Sequence, residues 1–287
     1  MAKKYISVKK KNKIKTIIII VVLIVVSLIS LLPFYWMVLN SFKNPDKIIG
    51  DGISFFTLDL TLQSYQEIFN ITEGGSILQA FGNSILISSL LTIGTLFTSS
   101  LAAYAFAKIR FKGSKIIYAI FIATLMVPGQ VTMLPLFVMF AKAELVDTFI
   151  PLILPGVLVN TYGVFMLRQF IVSIPNELME AADMDGCGFF RKYWQIILPL
   201  CKPALISLGL FTFIGSYNNF LGQLIYLRSE DNITISLFIK SLRETYGTGA
   251  QWGRIMAATT LSIVPISVIY LSCQKYFVEG IATTGIK

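Results

Sequence analysis

The length of its apolar runs constrains this chain more than any other feature. From Thr16 to Leu39 few polar side chains interrupt the sequence. About 18 or more apolar residues in a helix reach across the ~30 Å hydrocarbon layer of a bilayer. Five more stretches repeat the pattern: Leu78–Ala107, Lys115–Phe140, Thr148–Val172, Pro203–Leu227 and Arg254–Phe277. Lipid offers the backbone no hydrogen-bonding partner, so such stretches cross as helices. The expectation is an all-α membrane protein with six transmembrane helices. Composition agrees: 55% of residues are hydrophobic and 14% charged, against about 25% charged in ordinary globular chains. Pro128, Pro135, Pro155 and Pro265 fall inside the runs, where bundles tolerate them because neighbours satisfy the freed carbonyls.

Seven lysines precede Thr16. A basic start followed by an apolar run also describes a signal peptide. This run is too long for one and lacks a small-residue cleavage site, so it reads as a retained first span. The chain then divides into a basic cytoplasmic tail over 1–15 and a single transmembrane domain over 16–287. With the amino terminus inside, 17 of the 24 basic residues fall in the tail, Lys108–Lys115, Arg168–Lys202 and Lys275–Lys287. Excess Lys and Arg marks cytoplasmic segments, so both termini are expected in the cytoplasm. The net charge of +9 follows from the same bias and shows no basic stripe with interleaved aromatics, the footprint of nucleic-acid binding. The spans carry almost no charge, which argues against a proton relay. There is no histidine, and Cys187, Cys201 and Cys273 form no CxxC pair. No metal site or disulfide framework is expected.

The segment between the fourth and fifth runs is the most informative. Pro175 suits a first helical turn, and Glu177 and Glu180 suit its positive end. Leu178, Ala181 and Ala182 lie at helical spacing, which places them on one face. Gly186 permits a sharp turn. Cys187–Ile197 then suits a second short helix closed by Pro199. The prediction is a helix-turn-helix shelf on the cytoplasmic surface, with Phe189, Phe190, Tyr193 and Trp194 either filling a partner's pocket or gripping the bundle. Joined rigidly to two spans, such a shelf is a lever.

Glu180-Ala181-Ala182, then Gly186, Ile196 and Leu198-Pro199 at this spacing, resembles the EAA loop of binding-protein-dependent ABC importer permeases. The order of Leu101-Ala102-Ala103-Tyr104-Ala105-Phe106-Ala107, Phe165-Met166-Leu167-Arg168-Gln169-Phe170, Asp185-Gly186 and Asn218-Asn219-Phe220-Leu221 is similar to the shorter permease of the maltose-type, carbohydrate-uptake branch. Tyr217 replaces that branch's usual Trp, and Gln223 stands where proline is common.

The resemblance implies an ATPase-coupling loop of Glu180, Ala181, Ala182, Asp185, Gly186, Ile196, Leu198 and Pro199. It implies a second homologous permease subunit, a dimer of ATPase subunits that uses ATP and Mg, and an extracytoplasmic solute-binding protein, all in a bacterial inner membrane. The chain itself holds no GxxxxGK[ST] phosphate cradle, so it is expected to be no enzyme alone and to bind no cofactor. The family implies that the tail, through Gly280, Gly285 and Lys287, reaches into the ATPase; a frayed terminus is the equal alternative. Tyr217, Asn218 and Asn219 offer the ring and amides that a sugar needs, although Asn also bonds helix to helix in membranes. Asn83, Gln130 and Asn160 pose the same choice. A standalone secondary carrier and an ABC permease for a non-sugar solute remain as alternatives.

Overall fold

A computed structural model describes residues 2–44, 48, 55–56, 59–71, 74–245 and 252–284, with side chains except at 2–13, 244–245 and 276–284. Helices dominate them, and the one β-bridge among them pairs Lys43 with Leu60. In chain order the helices are α1 Ala2–Ser41, α2 Gln63–Asn70, α3 Ile77–Lys108, α4 Ser114–Ala123, α5 Gly129–Lys142, α6 Ile150–Leu158 and α7 Thr161–Val172. Then follow α8 Glu177–Met184, α9 Phe189–Leu200, α10 Lys202–Tyr217, α11 Phe220–Tyr226, α12 Ile235–Thr245 and α13 Trp252–Thr284.

Four stretches among the described residues are helices long and apolar enough to cross a membrane: Ile14–Ser41, Ile77–Lys108, Ile150–Val172 and Trp252–Lys275. Two bent pairs bring the number to six if each is one span: Ser114–Met126 with Gly129–Lys142, bent by 97°, and α9 with α10, bent by 78°. Six unbroken helices are therefore not what the chain forms. The expected third span, Lys115–Phe140, breaks before Pro128, where Val127 is extended (φ −86°, ψ 114°). A residue before proline is pushed out of the helical region by the pyrrolidine ring. The expected fourth span pauses at Val159-Asn160, and the expected fifth, Pro203–Leu227, stops at Tyr217 and restarts at Phe220. Pro135, Pro155 and Pro265 stay within helices.

The chain packs as two compact units, Met1–Asn70 with Leu242–Leu261, and Ile71–Ser241 with Ser262–Lys287. In the first, α1 is exposed from Ile14 to Phe34. The amphipathic α2 buries Ser64 and Ile68. Glu67 Oε2 accepts from Arg254 Nε at 2.6 Å. Burial pushes the Glu67 carboxyl up, but hydrogen bonds from Arg254 and Gln63 outweigh it and hold it below the usual carboxylate value.

In the second unit α3 is the central post, packed by α6, α7 and α10. Small residues make close approach feasible, as expected where lipid supplies no hydrophobic drive between helices. A Cβ on Gly94 would stand 2.5 Å from Val157 Cγ2, while one on Gly82 would meet nothing within 4 Å. Thr98 Oγ1 donates to Val157 O at 2.6 Å and Thr95 Oγ1 to Gly156 O at 3.1 Å, so α3 satisfies carbonyls freed at the pause after α6.

A loop corner is fastened by Asp147, whose backbone adopts φ 65°. Its Oδ1 accepts from the amides of Arg228 at 2.8 Å and Ser229 at 3.0 Å. Burial raises the carboxyl's pKa, but these amides, with Ser229 and Asn232 side chains, draw it down to about 2.

Gly94→Ala is expected to destabilise the unit by about 1–3 kcal/mol, because stiff, β-branched Val157 cannot yield, while Gly82→Ala is expected to be neutral or slightly stabilising. Thermal unfolding in detergent separates the two. Asp147 titrates lower when folded than unfolded, so its stabilisation is present above about pH 4 and lost as pH falls toward about 2. Amide exchange at Arg228 and Ser229 is expected to rise over that interval in the wild type, and to be fast already at neutral pH in Asp147→Ala.

Candidate functional site

Residues 175–200 form the expected two-helix shelf. Helix α8 starts behind Pro175 with Glu177 and Glu180 in its first turn, where the amide dipoles favour acids. It ends in a Schellman motif: Cys187 N donates to Ala182 O at 2.9 Å and Gly186 N to Asp183 O at 3.0 Å. Gly186 closes it at φ 71°, a left-handed conformation that costs side-chain-bearing residues about 1–2 kcal/mol. Helix α9 then runs on through Pro199 to Leu200, so Pro199 does not end it as expected. Tyr193–Ile197 instead widens into a π turn, with Leu198 N bonded to Tyr193 O. Pro199 has no N–H to offer Gln195 O, and its ring crowds that carbonyl. The wider turn just upstream relieves that conflict.

Each shelf helix is two-faced. Met179 and Ala182 of α8, with Tyr193 and Ile197 of α9, are buried. Met179, Tyr193 and Ile197 belong to the apolar cluster that holds Ala103 and Tyr104 of α3, Val164, Leu167 and Ile171 of α7, and Ala204 and Leu208 of α10, with Ile196 and Leu198 packed against it. Tyr193 OH lies 2.7 Å from Ser100 Oγ, its ring packs on Tyr104 at 5.8 Å, and Tyr104 OH donates to Phe189 O at 3.3 Å. Lys108 Nζ donates to Ile174 O at 2.6 Å and Asn176 Oδ1 at 2.8 Å. The shelf is thus bolted to the bundle from inside.

The outward faces present Glu180, Ala181, Asp185, Gly186 and Pro199, all exposed. Among them stand Leu178, Met184 (90% exposed), Phe189, Phe190 (73%) and Trp194 (57%). The four aromatics therefore divide, with Tyr193 gripping the bundle and the other three facing out. Leu178 and Ala181 face out while Ala182 is buried, so the three do not share one exposed surface. Sequence reasoning missed Lys192. It is 6% exposed and forms an ion pair with Asp183 across the Gly186 turn, bracing α8 against α9. The separation of nine residues is not a helical repeat, so only the turn's geometry brings them together.

The other sequence-derived residues lie apart from the shelf. Tyr217 is buried, and its OH donates to Ser262 O at 3.2 Å. Asn218 is exposed. Asn219 caps α11 by accepting from Gly222 N at 3.1 Å. Asn219 also lines an open cavity of ≈ 300 Å³ with Asn160, Tyr162, Phe211, Thr212 and Ser216. Gln223 bridges the break, donating to Ser216 O at 3.2 Å and accepting from Thr234 Oγ1 at 2.6 Å. Asn83 donates to Asp231 O and Ile233 O, and Gln130 is exposed. Gly280 lies in α13; Gly285 and Lys287 lie outside the described residues. Among the described residues no three His, Cys, Asp or Glu gather as a metal site, and the three cysteines are free.

Asp183→Asn is expected to leave the Lys192 ammonium nearly buried without its counter-charge. Because the carboxylate side is exposed, the cost is discounted to about 1–2 kcal/mol. Faster amide exchange confined to residues 177–192 is the expected reading, and Asp185→Asn, on the exposed turn, serves as the silent control.

The family described as "Binding-protein-dependent transport system inner membrane component" matches residues 94–283. The arabinooligosaccharides transport system permease protein AraQ of Bacillus subtilis is 34% identical, over 91% of this chain and 92% of that protein. The lactose transport system permease protein LacG of Rhizobium radiobacter is 31% identical, over 88% and 90%. In fold, the chain is similar to a chain in the crystal structure of a bacterial ABC transporter involved in the import of the acidic polysaccharide alginate, with a TM-score of 0.80 at 24% identity, over 93% of this chain and 98% of that one. These findings place the chain in the family of binding-protein-dependent transport system inner membrane components.

Proposed function

We propose that this chain is one transmembrane permease subunit of an ATP-driven, solute-binding-protein-dependent carbohydrate importer. Residues 16–287 act as one transmembrane domain behind the basic tail, with six crossings, the fifth carried by α10 and α11 after the shelf, and both termini cytoplasmic. A second, homologous permease completes the pathway and covers part of the exposed α1. Two ATPase subunits, using ATP and Mg, dock beneath the shelf, and a solute-binding protein docks outside. The relatives named for arabinooligosaccharides and lactose support a sugar, most directly an oligosaccharide.

The observation that carries this reading is the two-faced shelf. Its outer face, with Glu180, Ala181, Asp185 and Gly186 among exposed Leu178, Met184, Phe189, Phe190 and Trp194, is the docking surface. Its inner face is continuous with the cores of α3, α7 and α10, so a push on the shelf is a push on the spans. Ile196 and Leu198 pass it on, and Pro199 sets the π turn where α9 feeds α10. Asn219, with Asn160 and Tyr162 on the open cavity, is the residue of the Tyr217-Asn218-Asn219 group best placed on a substrate path, while Tyr217 serves helix packing. The tail residues Gly280, Gly285 and Lys287 stay assigned to an ATPase contact.

Gly186→Val is expected to abolish uptake of labelled arabinooligosaccharide and to loosen co-purification of the ATPase, because its backbone needs a positive φ. Gly188→Ala, at φ −68° with open space around it, is expected to keep both. Wild-type uptake by Gly186→Val sinks the coupling assignment. Uptake that needs no ATPase points to a secondary carrier, and an intact complex that ignores sugars points to another solute.

A further inference from the structure

A second cavity, of ≈ 660 Å³, opens beside the shelf where the α3–α4 turn meets α7 and α8. Lys108, Arg110, Ser114, Lys115, Tyr118 and Arg168 line it. Two features of this lining call for a ligand. The first is charge: four cations face two carboxylates, Glu180 and Asp183, and Asp183 is already paired with Lys192. Arg110 and Lys115 are exposed. Arg168 lies over the Tyr118 ring, 4.1 Å from its centroid, with its Nε bonded to Phe106 O at 3.2 Å; this fixes its plane and leaves its terminal nitrogens as donors. The second is an orphan: the Tyr118 hydroxyl is buried and has no hydrogen-bond partner among the described residues. A buried donor without an acceptor is destabilising.

Depth in the membrane decides the kind of anion. Lys108 ends the candidate span Ile77–Lys108, Ser114 begins the candidate segment Ser114–Met126, and Arg168 lies in the last turns of Ile150–Val172. The cavity therefore sits at the level of span ends, where lipid headgroups lie. Directly after Lys115, α4 exposes Ile116 (68%), Ile117 and Ile120, an apolar flank beside the basic cavity. We propose that this cavity holds the phosphate headgroup of an anionic phospholipid, with an acyl chain against Ile116, Ile117 and Ile120. Basic pockets between spans take such headgroups because each nearby cation adds to the attraction, and a planar guanidinium pairs phosphate bidentately. The site does not depend on the transport reading.

The test is native mass spectrometry of the full-length chain, purified with the subunits that accompany it, from nanodiscs of mixed phosphatidylglycerol and phosphatidylcholine. The wild type is expected to retain phosphatidylglycerol preferentially. The double variant Arg110→Gln, Lys115→Gln is expected to lower that retention roughly ten- to thirtyfold. Both positions are exposed, so the fold is spared. Lys112→Gln, on the same loop but off the cavity, is expected to match the wild type. Equal retention of the two lipids, or a double variant that behaves like Lys112→Gln, overturns the proposal. So does displacement of bound lipid by inorganic phosphate alone, which assigns the site to a free anion.

Discussion

The structure of residues 71–241 depends on one shared apolar core. Tyr193 and Ile197, which belong by sequence to a loop between spans, are as buried as Leu167 and Leu208, which belong to the spans themselves. Burying a side chain of this size is worth about 1.5–3 kcal/mol, and the Tyr193–Ser100 hydrogen bond lets the phenol enter without an unpaired hydroxyl. The shelf has no core of its own to rely on. Its two helices, eight and twelve residues long, are too short to persist alone in water. They exist because the bundle accepts their inner face.

A second constraint is polar. Each interruption of a span frees backbone groups that lipid cannot satisfy, and two of them have side chains set against them. At Val159-Asn160, Asn160 caps α7 through Gly163 N while Thr95 and Thr98 reach across from α3. At Asn218-Asn219, Asn219 caps α11 and Gln223 returns to Ser216 O. The same amides that look like sugar ligands thus have structural work first. Asn160 and Asn219 combine the two, since both also border the smaller cavity. The resemblance to a family that favours proline at position 223 finds its counterpart here: a proline there would have no side-chain amide to bridge the break.

The shelf was largely legible in the sequence. Gly186, the acids at the start of α8 and the gapped Glu-Ala-Ala pattern are local signals, and local signals survive folding when no neighbour contradicts them. The bends were less legible. Pro128 breaks its span while Pro135, Pro155 and Pro265 do not, since the outcome depends on what lies beside the freed carbonyls. Lys192 illustrates the limit. As a lysine in a basic, aromatic segment it reads as surface, yet the Gly186 turn folds it against Asp183 and under the bundle.

The amino-acid sequence by itself determined that this chain lives in a membrane, which stretches are long and apolar enough to cross it, and which segment forms the two-helix shelf. Those properties follow from run length, charge bias and motif spacing, all of them additive along the chain. Tertiary structure alone decided which spans bend, which aromatic of four turns inward, which asparagines cap helices, and which four cations line one cavity with Tyr118. These depend on which groups become neighbours across tens of residues, and a buried polar or charged group takes its role from the neighbour that satisfies it.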